Sequence, residues 1–106
     1  MKARVVLTTT GADFDAAALA RTLVEQRLAA CVNIVAGVRS IYRWNDGVDD
    51  EREQLLVIKT TEERVAALRD ALLAQHPYDV PEFVVLDADA LGAYGAWLAE
   101  SVSDSR

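Results

Sequence analysis

The sequence is short of the residues that usually build metal, disulfide and redox sites. Its 106 residues include one cysteine, one histidine and one methionine. A single cysteine excludes an intramolecular disulfide and any cysteine-rich zinc motif. There are only two prolines and five glycines, so we expect no Pro- or Gly-rich linker.

Long apolar runs and basic clusters are also missing. The first segment, MKARVVLTTT, has an apolar run of only three residues, which is too short for a signal peptide or a membrane span. The net charge is −6 and the Lys and Arg residues do not cluster, so nucleic acids and anionic membranes are poor partners. We therefore expect a cytoplasmic protein with no nucleic-acid and no membrane partner.

The remaining composition is that of one globular domain. Hydrophobic residues make up 52% and charged residues 26% of the chain, and this length leaves no room for a second core. We expect residues 1–106 to form a single domain, with a polar, frayed tail from Ser101 to Arg106.

Apolar periodicity predicts four strands and three helices. The predicted strands are Ala3 to Thr9, Cys31 to Trp44, the run QLLVIKT and Val80 to Asp87. The predicted helices are Ala16 to Leu28, one after Thr60 and a short one after Asp89. The order β-α-β-β-α-β with an additional C-terminal helix is typical of an α+β, ferredoxin-like fold with sheet order 4-1-3-2.

Local signals predict where the later helices begin and end. Thr60 with Glu63 has the spacing of a capping box at the start of the second helix. Pro77 should end that helix, because the residue before a proline avoids the helical region. Asp89 should cap the last helix.

The second and third strands form one long hairpin, Ala29 to Thr60, that turns at Asn45-Asp46-Gly47. Its first arm, Cys31 to Trp44, has 14 residues and would span about 46 Å if continuous. A compact domain of this length is about 34 Å across, so the arm should project beyond it. A projecting strand has unpaired backbone groups, which predicts an oligomer. Whether Gly37 interrupts the arm with a bulge stays open at this point.

Several motifs resemble the CutA family of divalent-cation tolerance proteins. They are RLAACVNIVAGVRSIYRW, LLVIKT, HPYDVPE and AYGAWL, and they run in order from about Thr8 to Leu98. The resemblance implies a ferredoxin-like protomer in a homotrimer whose long hairpin strands pair between subunits. It also implies a role in tolerance of copper and other divalent cations, by binding rather than as an enzyme. The family is similar in architecture to the trimeric PII signalling proteins.

The resemblance also implies a candidate metal ligand. Copper binding in a bacterial member of the family is attributed to a cysteine on the first strand and two histidines before the PY motif. Those positions fall near Thr8 and on Gln75 and His76, so His76 alone is kept. We expect no required cofactor and name Cu(II) or another divalent cation as the candidate ligand of His76. The alternative is a histidine that only meets the carbonyls at a helix end.

Five further residues are candidates for a ligand pocket or a subunit interface: Tyr42, Trp44, Lys59, Tyr78 and Glu82. In CutA-like trimers the matching residues lie near clefts between subunits. An aromatic cleft with a Lys and a Glu could bind a small ligand, and interface packing is the alternative.

Other candidate sites have weaker support. Cys31 should be a buried, inert thiol, because it and His76 belong to opposite edges of the predicted sheet. The acids from Asp46 to Glu53 should form a solvated hairpin tip. The loop TTTGAD lacks the arginine of an acylphosphatase phosphate loop, and no catalytic triad or P-loop is present. The function predicted from the sequence is divalent-cation tolerance. The alternative is a PII-like signalling or adaptor trimer that binds a small metabolite and an unidentified protein partner.

Overall fold

The computed structural model describes residues 2–104 and contains, over that range, four strands, three α-helices and one short 3-10 turn. The strands are β1 (Ala3–Gly11), β2 (Cys31–Trp44), β3 (Gly47–Thr61) and β4 (Val84–Ala88). The helices are α1 (Ala16–Glu25), α2 (Val65–Gln75) and α3 (Gly92–Ser101), and the turn Glu62–Arg64 leads into α2. This order confirms the predicted α+β fold.

All four strands join one antiparallel sheet in the order β2-β3-β1-β4. This is the predicted 4-1-3-2 order, counted from the other edge. β1 lies in the interior, between β3 and β4, as its apolar centre indicated. None of the helices in the described range is long and apolar enough to cross a membrane.

The main core lies between α1, α2 and one face of the sheet. Side chains alternate between the two faces of a strand, so every second residue of β1 and β3 points to this core. Its largest members are Val6, Leu19, Leu23, Leu56, Ile58, Leu68 and Leu72. α3 packs separately, with Leu98 and Val102 against Ala30.

The other face of the sheet, which we call the open face, is also apolar. Its apolar members follow from the strand register: Val5, Leu7, Leu55, Val57, Val84 and Leu86. The register also places Thr9 and Lys59 on this face. Val84 and Leu86 are 44% and 46% exposed in the protomer. A sheet face that contacts water normally carries polar side chains, so the open face has the composition of a surface that is covered in an assembly.

The long hairpin is bent by a bulge and closed by a tight turn. The register of β2 against β3 shifts between Val35 and Val38, and Gly37 between them has φ +75°. Gly37 therefore does make a bulge, which answers the question left open by the sequence. Asn45 and Asp46 both have positive φ, as a two-residue turn of the primed type requires.

The hairpin gives the protomer an elongated shape. The principal extents are 47 × 23 × 22 Å, with a radius of gyration of 14.5 Å. The projection predicted from strand length is thus present, and within the protomer the outer edge of β2 pairs with no other strand of the described sheet.

Several predicted boundaries were wrong. Thr60 is not a helix cap, because β3 continues to Thr61, and its hydroxyl donates to the Leu28 carbonyl at 2.7 Å. α1 ends at Glu25 rather than Leu28, since Arg27 has a left-handed φ of 60°. Leu91, not Asp89, precedes α3 at its N-cap.

Two further differences concern the last quarter of the chain. β4 begins at Val84 rather than Val80, so Pro81 lies in an irregular connection. The tail is ordered up to Asp104: Val102 is buried, and Arg64 donates to the Val102 carbonyl and pairs with Asp104 at 2.5 Å. The prediction of a frayed tail at 105–106 lies outside the described residues.

We expect Gly37→Ala to lower the free energy of unfolding by about 1 kcal/mol, because an L-residue is strained at positive φ. A Cβ at Gly37 would meet nothing within 4 Å, so the cost is one of backbone conformation. Gly47→Ala is the matched control, because Gly47 has no positive φ. Urea unfolding at one protein concentration measures both, and an equal cost in the control would contradict the explanation.

Candidate functional site

A cleft of about 600 Å³ opens where the hairpin leaves the sheet. One wall is the hairpin, with Ser40, Tyr42, Trp44, Glu51 and Glu53. The other wall is the irregular connection from α2 to β4, with Pro77, Tyr78, Asp79, Val80, Pro81 and Glu82, and Thr9 of β1 completes the lining. We call this space the hairpin cleft. Four of the five predicted pocket residues meet here: Tyr42, Trp44, Tyr78 and Glu82.

The bulge at Gly37 determines which side chains form the hairpin wall. Below it Val35 pairs with Leu55, and above it Val38 pairs with Glu53, so β2 has gained one residue relative to β3. Because side chains alternate, one extra residue moves every following side chain of β2 to the other face. Tyr42 and Trp44 therefore face the same way as Glu53 and Leu55.

Two hydrogen bonds join tyrosine hydroxyls to carboxylates in the lining of the hairpin cleft. The Tyr78 hydroxyl donates to Glu53 Oε2 at 2.5 Å, and the Tyr42 hydroxyl donates to Glu51. Donation to Glu51 raises the pKa of Tyr42 to about 12. Burial, followed by donation to Glu53, raises the pKa of Tyr78 as well.

The carboxylates of the hairpin cleft are crowded. Glu53 is only 6% exposed. The pKa of Glu82 is raised, first by burial and then by the charge of Glu53. Among the described residues, no Lys, Arg or His belongs to the lining, so a bound positive charge would relieve this repulsion.

His76 does not line the hairpin cleft but is hydrogen-bonded to Thr9 and Tyr78, which do. Its Nε2–H donates to the Thr9 carbonyl at 2.8 Å, and its Nδ1 accepts from the Tyr78 backbone N–H at 3.1 Å. A carbonyl can only accept, which assigns the hydrogen to Nε2. Both ring nitrogens are thus used within the protomer, and the ring packs against Tyr78 with centroids 4.9 Å apart.

This arrangement does not favour the predicted metal ligand. With the Nδ1 lone pair accepting a hydrogen bond and Nε2 protonated, His76 has no free lone pair for Cu(II). Residues 2–104 contain no group of three or more His, Cys, Asp or Glu placed to hold a metal ion. The geometry instead makes His76 the residue that positions Tyr78 after the end of α2.

Within the protomer Lys59 does not line the hairpin cleft, so its predicted place beside the aromatic residues in a cleft between subunits stays a prediction. It lines a second depression with Val5, Asp89 and Tyr94 at the opposite end of the sheet. Lys59 lies six positions after Glu53 along β3, about 20 Å at the rise of an extended strand.

The other positions implied by the family resemblance are not assembled into a ligand set. Thr8 is fully buried, and its hydroxyl has no hydrogen-bond partner among the described residues. Gln75 is exposed and donates to the Ala71 carbonyl. Cys31 is half-buried rather than buried, and its thiol lies 3.7 Å from Asn33 Oδ1.

Glu51 and Glu53 are the cleft residues that the sequence interpretation missed, because both were assigned to a solvated hairpin tip. Asp50 and Glu51 are exposed, but Asp49 is half-buried and Glu53 is buried. The alternation of side chains between the two faces of a strand was the available signal: Asp50 pairs with Arg39 on the opposite face, whereas the odd-numbered acids share the face of Tyr42.

The comparisons with known proteins agree with the fold. The family model described as CutA1 divalent ion tolerance protein matches residues 4–101. The chain is 47% identical over 98 residues to the divalent-cation tolerance protein CutA of Thermus thermophilus, covering 92% of this chain and 95% of that protein. It is 42% identical over 88 residues to the chloroplastic protein CutA 1 of Oryza sativa, covering 82% of this chain and 50% of that protein.

Two solved structures also resemble the chain over nearly its whole length. The crystal structure of CutA1 from Oryza sativa superposes with a TM-score of 0.92 at 38% identity, over 99% of this chain and 97% of that one. The structure of the divalent cation tolerance protein from Thermus thermophilus gives a TM-score of 0.87 at 46% identity, over 95% of this chain and 99% of that one.

We expect the Tyr42 hydroxyl to ionise near pH 12 rather than near its ordinary value of 10.0. The raised pKa in the folded state means that the stability from the neutral hydroxyl is present below pH 10 and is lost as the pH rises through about 12. The ultraviolet absorbance of tyrosinate, compared with Tyr42→Phe, isolates this step. A difference step near pH 10 would contradict the bond to Glu51.

We expect His76→Ala to lower the free energy of unfolding by about 1–3 kcal/mol, because the Thr9 carbonyl and the Tyr78 N–H lose a buried partner. Gln75→Ala, at the exposed neighbouring position, should change it by less than about 0.5 kcal/mol. Cu(II) affinity, measured by calorimetry, should be the same in the wild-type protein and His76→Ala. A loss of Cu(II) binding without a loss of stability would restore His76 as a metal ligand.

Proposed function

Because the chain belongs to the CutA1 family of divalent ion tolerance proteins, we propose that it acts in tolerance of Cu(II) or another divalent cation, by binding and not by catalysis. The match of the family model to residues 4–101 carries this proposal. The only histidine is held by two hydrogen bonds, so it is poorly placed to serve as a general acid or base.

We propose that the working form is a homotrimer. The open face leaves Val84 and Leu86 exposed, and the outer edge of the 14-residue β2 is available for pairing. Both features are stabilised by contact with a further copy, through apolar burial and through backbone hydrogen bonds. Head-to-tail contacts of this kind close into a ring when the rotation allows it, and the number three comes from the family resemblance.

We place the protein in the cytoplasm. A half-buried, unpaired Cys31 suits a reducing compartment. The acidic net charge of −6 favours the approach of cations over that of anions.

The hairpin cleft favours a second candidate function, a PII-like trimer that binds a small metabolite and signals to a protein partner. The supporting observation is that Tyr42, Trp44, Tyr78 and Glu82 line one space of about 600 Å³, which is within the usual range for small-molecule sites. Calorimetric titration with Cu(II) and with a metabolite panel separates the two functions, since each predicts saturable heat from one class of ligand.

Sedimentation equilibrium should give about three times the protomer mass of 11.6 kDa. Leu86→Asp should shift the mass towards one protomer, because burying an unpaired carboxylate on the open face is costly. Val24→Asp, at an equally exposed apolar position on α1, is the control and should leave the mass unchanged. A wild-type monomer would refute the trimer.

A further inference from the structure

Three aromatic rings of the hairpin cleft remain partly exposed in the protomer. Tyr42, Trp44 and Tyr78 are 36%, 45% and 37% exposed, respectively. The two tyrosine hydroxyls are already used, because they donate to Glu51 and Glu53. A ligand in the cleft would therefore meet ring surface more than hydroxyl donors.

The charge of the lining is of one sign. Glu51, Glu53, Asp79 and Glu82 contribute four carboxyl groups, and no basic residue of the described range joins them in the lining. Arg39 of the same hairpin lies on the opposite face, paired with Asp50. The strand register therefore places acidic and aromatic side chains in the cleft and leaves Arg39 outside it. The carboxylates of the cleft would repel an anionic ligand.

We propose that the hairpin cleft binds a small organic cation, an alkylammonium or alkylguanidinium, between its aromatic rings and its glutamates. The negative face of an aromatic ring attracts a cation within about 6 Å of its centroid. A carboxylate beside the ring supplies the counter-charge and accepts the N–H donors.

The lining suits an organic cation better than a bare metal ion. Divalent cations such as Mg²⁺ or Ca²⁺ require several oxygen ligands, whereas much of this lining is ring surface and proline. No group of three or more His, Cys, Asp or Glu suited to a metal occurs within residues 2–104. A neighbouring positive charge would favour the ionised form of Glu82, whose pKa is raised by burial and by Glu53.

This ligand class rests on the second function proposed above, in which the cleft is a small-molecule site. The test is calorimetric titration of the assembled protein at constant ionic strength with n-butylammonium and n-butylguanidinium. Sodium butyrate and n-butanol share the alkyl chain and replace the cationic head by an anionic or a neutral one. The two cations should bind and the other two probes should not.

Variants locate the binding within the hairpin cleft. Glu82→Gln should weaken binding of n-butylammonium about tenfold, which is the usual effect of losing a charged hydrogen-bond partner. Trp44→Leu should weaken it as well, through loss of the ring face. Asp50→Asn removes the same charge from the opposite face of the hairpin and should change the affinity less than about twofold, because exposed pairs contribute little.

The outcomes separate the ligand class from the ligand site. If butyrate or butanol binds and that binding is lost in Trp44→Leu, the proposed preference for a cationic ligand is wrong, but the cleft is the binding site. Equal weakening by Glu82→Gln and Asp50→Asn would reduce the effect to net charge and overturn the proposed contacts. Binding of no probe at all would overturn the organic-cation proposal, whereas the small-molecule function would fall only if the metabolite panel also gave no saturable heat.

Discussion

The alternation of side chains along β2, shifted by one residue at Gly37, is the constraint on which the candidate site depends. An uninterrupted β2 would continue the pairing of Val35 with Leu55 and turn Arg39 towards the carboxylates. The extra residue turns Tyr42 and Trp44 to that side instead. The positive φ at Gly37 is accessible to glycine at little cost, so one small residue selects an aromatic, acidic wall over a basic one.

The same face of the sheet carries both the candidate site and the surface proposed for assembly. Glu53 lines the hairpin cleft, and Leu55 and Val57 follow it along β3 on the open face. Covering the open face with another copy would therefore place a neighbouring chain close to the rim of the cleft. Ligand binding and assembly would then be coupled through β3, which gives a physical basis for a signal that depends on the trimer.

Local sequence patterns predicted the element order and the sheet order, because apolar periodicity reports burial directly. The capping box at Thr60 was wrong, since pairing of β3 with β1 extends the strand to Thr61 and overrides a local preference. The residues Tyr42, Trp44, Tyr78 and Glu82, which the family motifs grouped, line one cleft within the protomer. Lys59 lies apart from them because it is further along β3, and the ligand or interface role of all five stays a prediction. His76 Nδ1 accepts from Tyr78 two residues away, whereas Nε2 donates to a carbonyl 67 residues away, and no local pattern encodes that second contact.

The register of the hairpin in solution tests the central claim most directly. Cross-strand NOEs between backbone protons report which residues of β2 and β3 lie opposite each other. The bulged register predicts contacts that pair Ser40 with Glu51 and Tyr42 with Asp49. Contacts that pair Arg39 with Glu51 and Ile41 with Asp49 would show an unshifted strand, and would contradict the placement of the aromatic wall in the cleft.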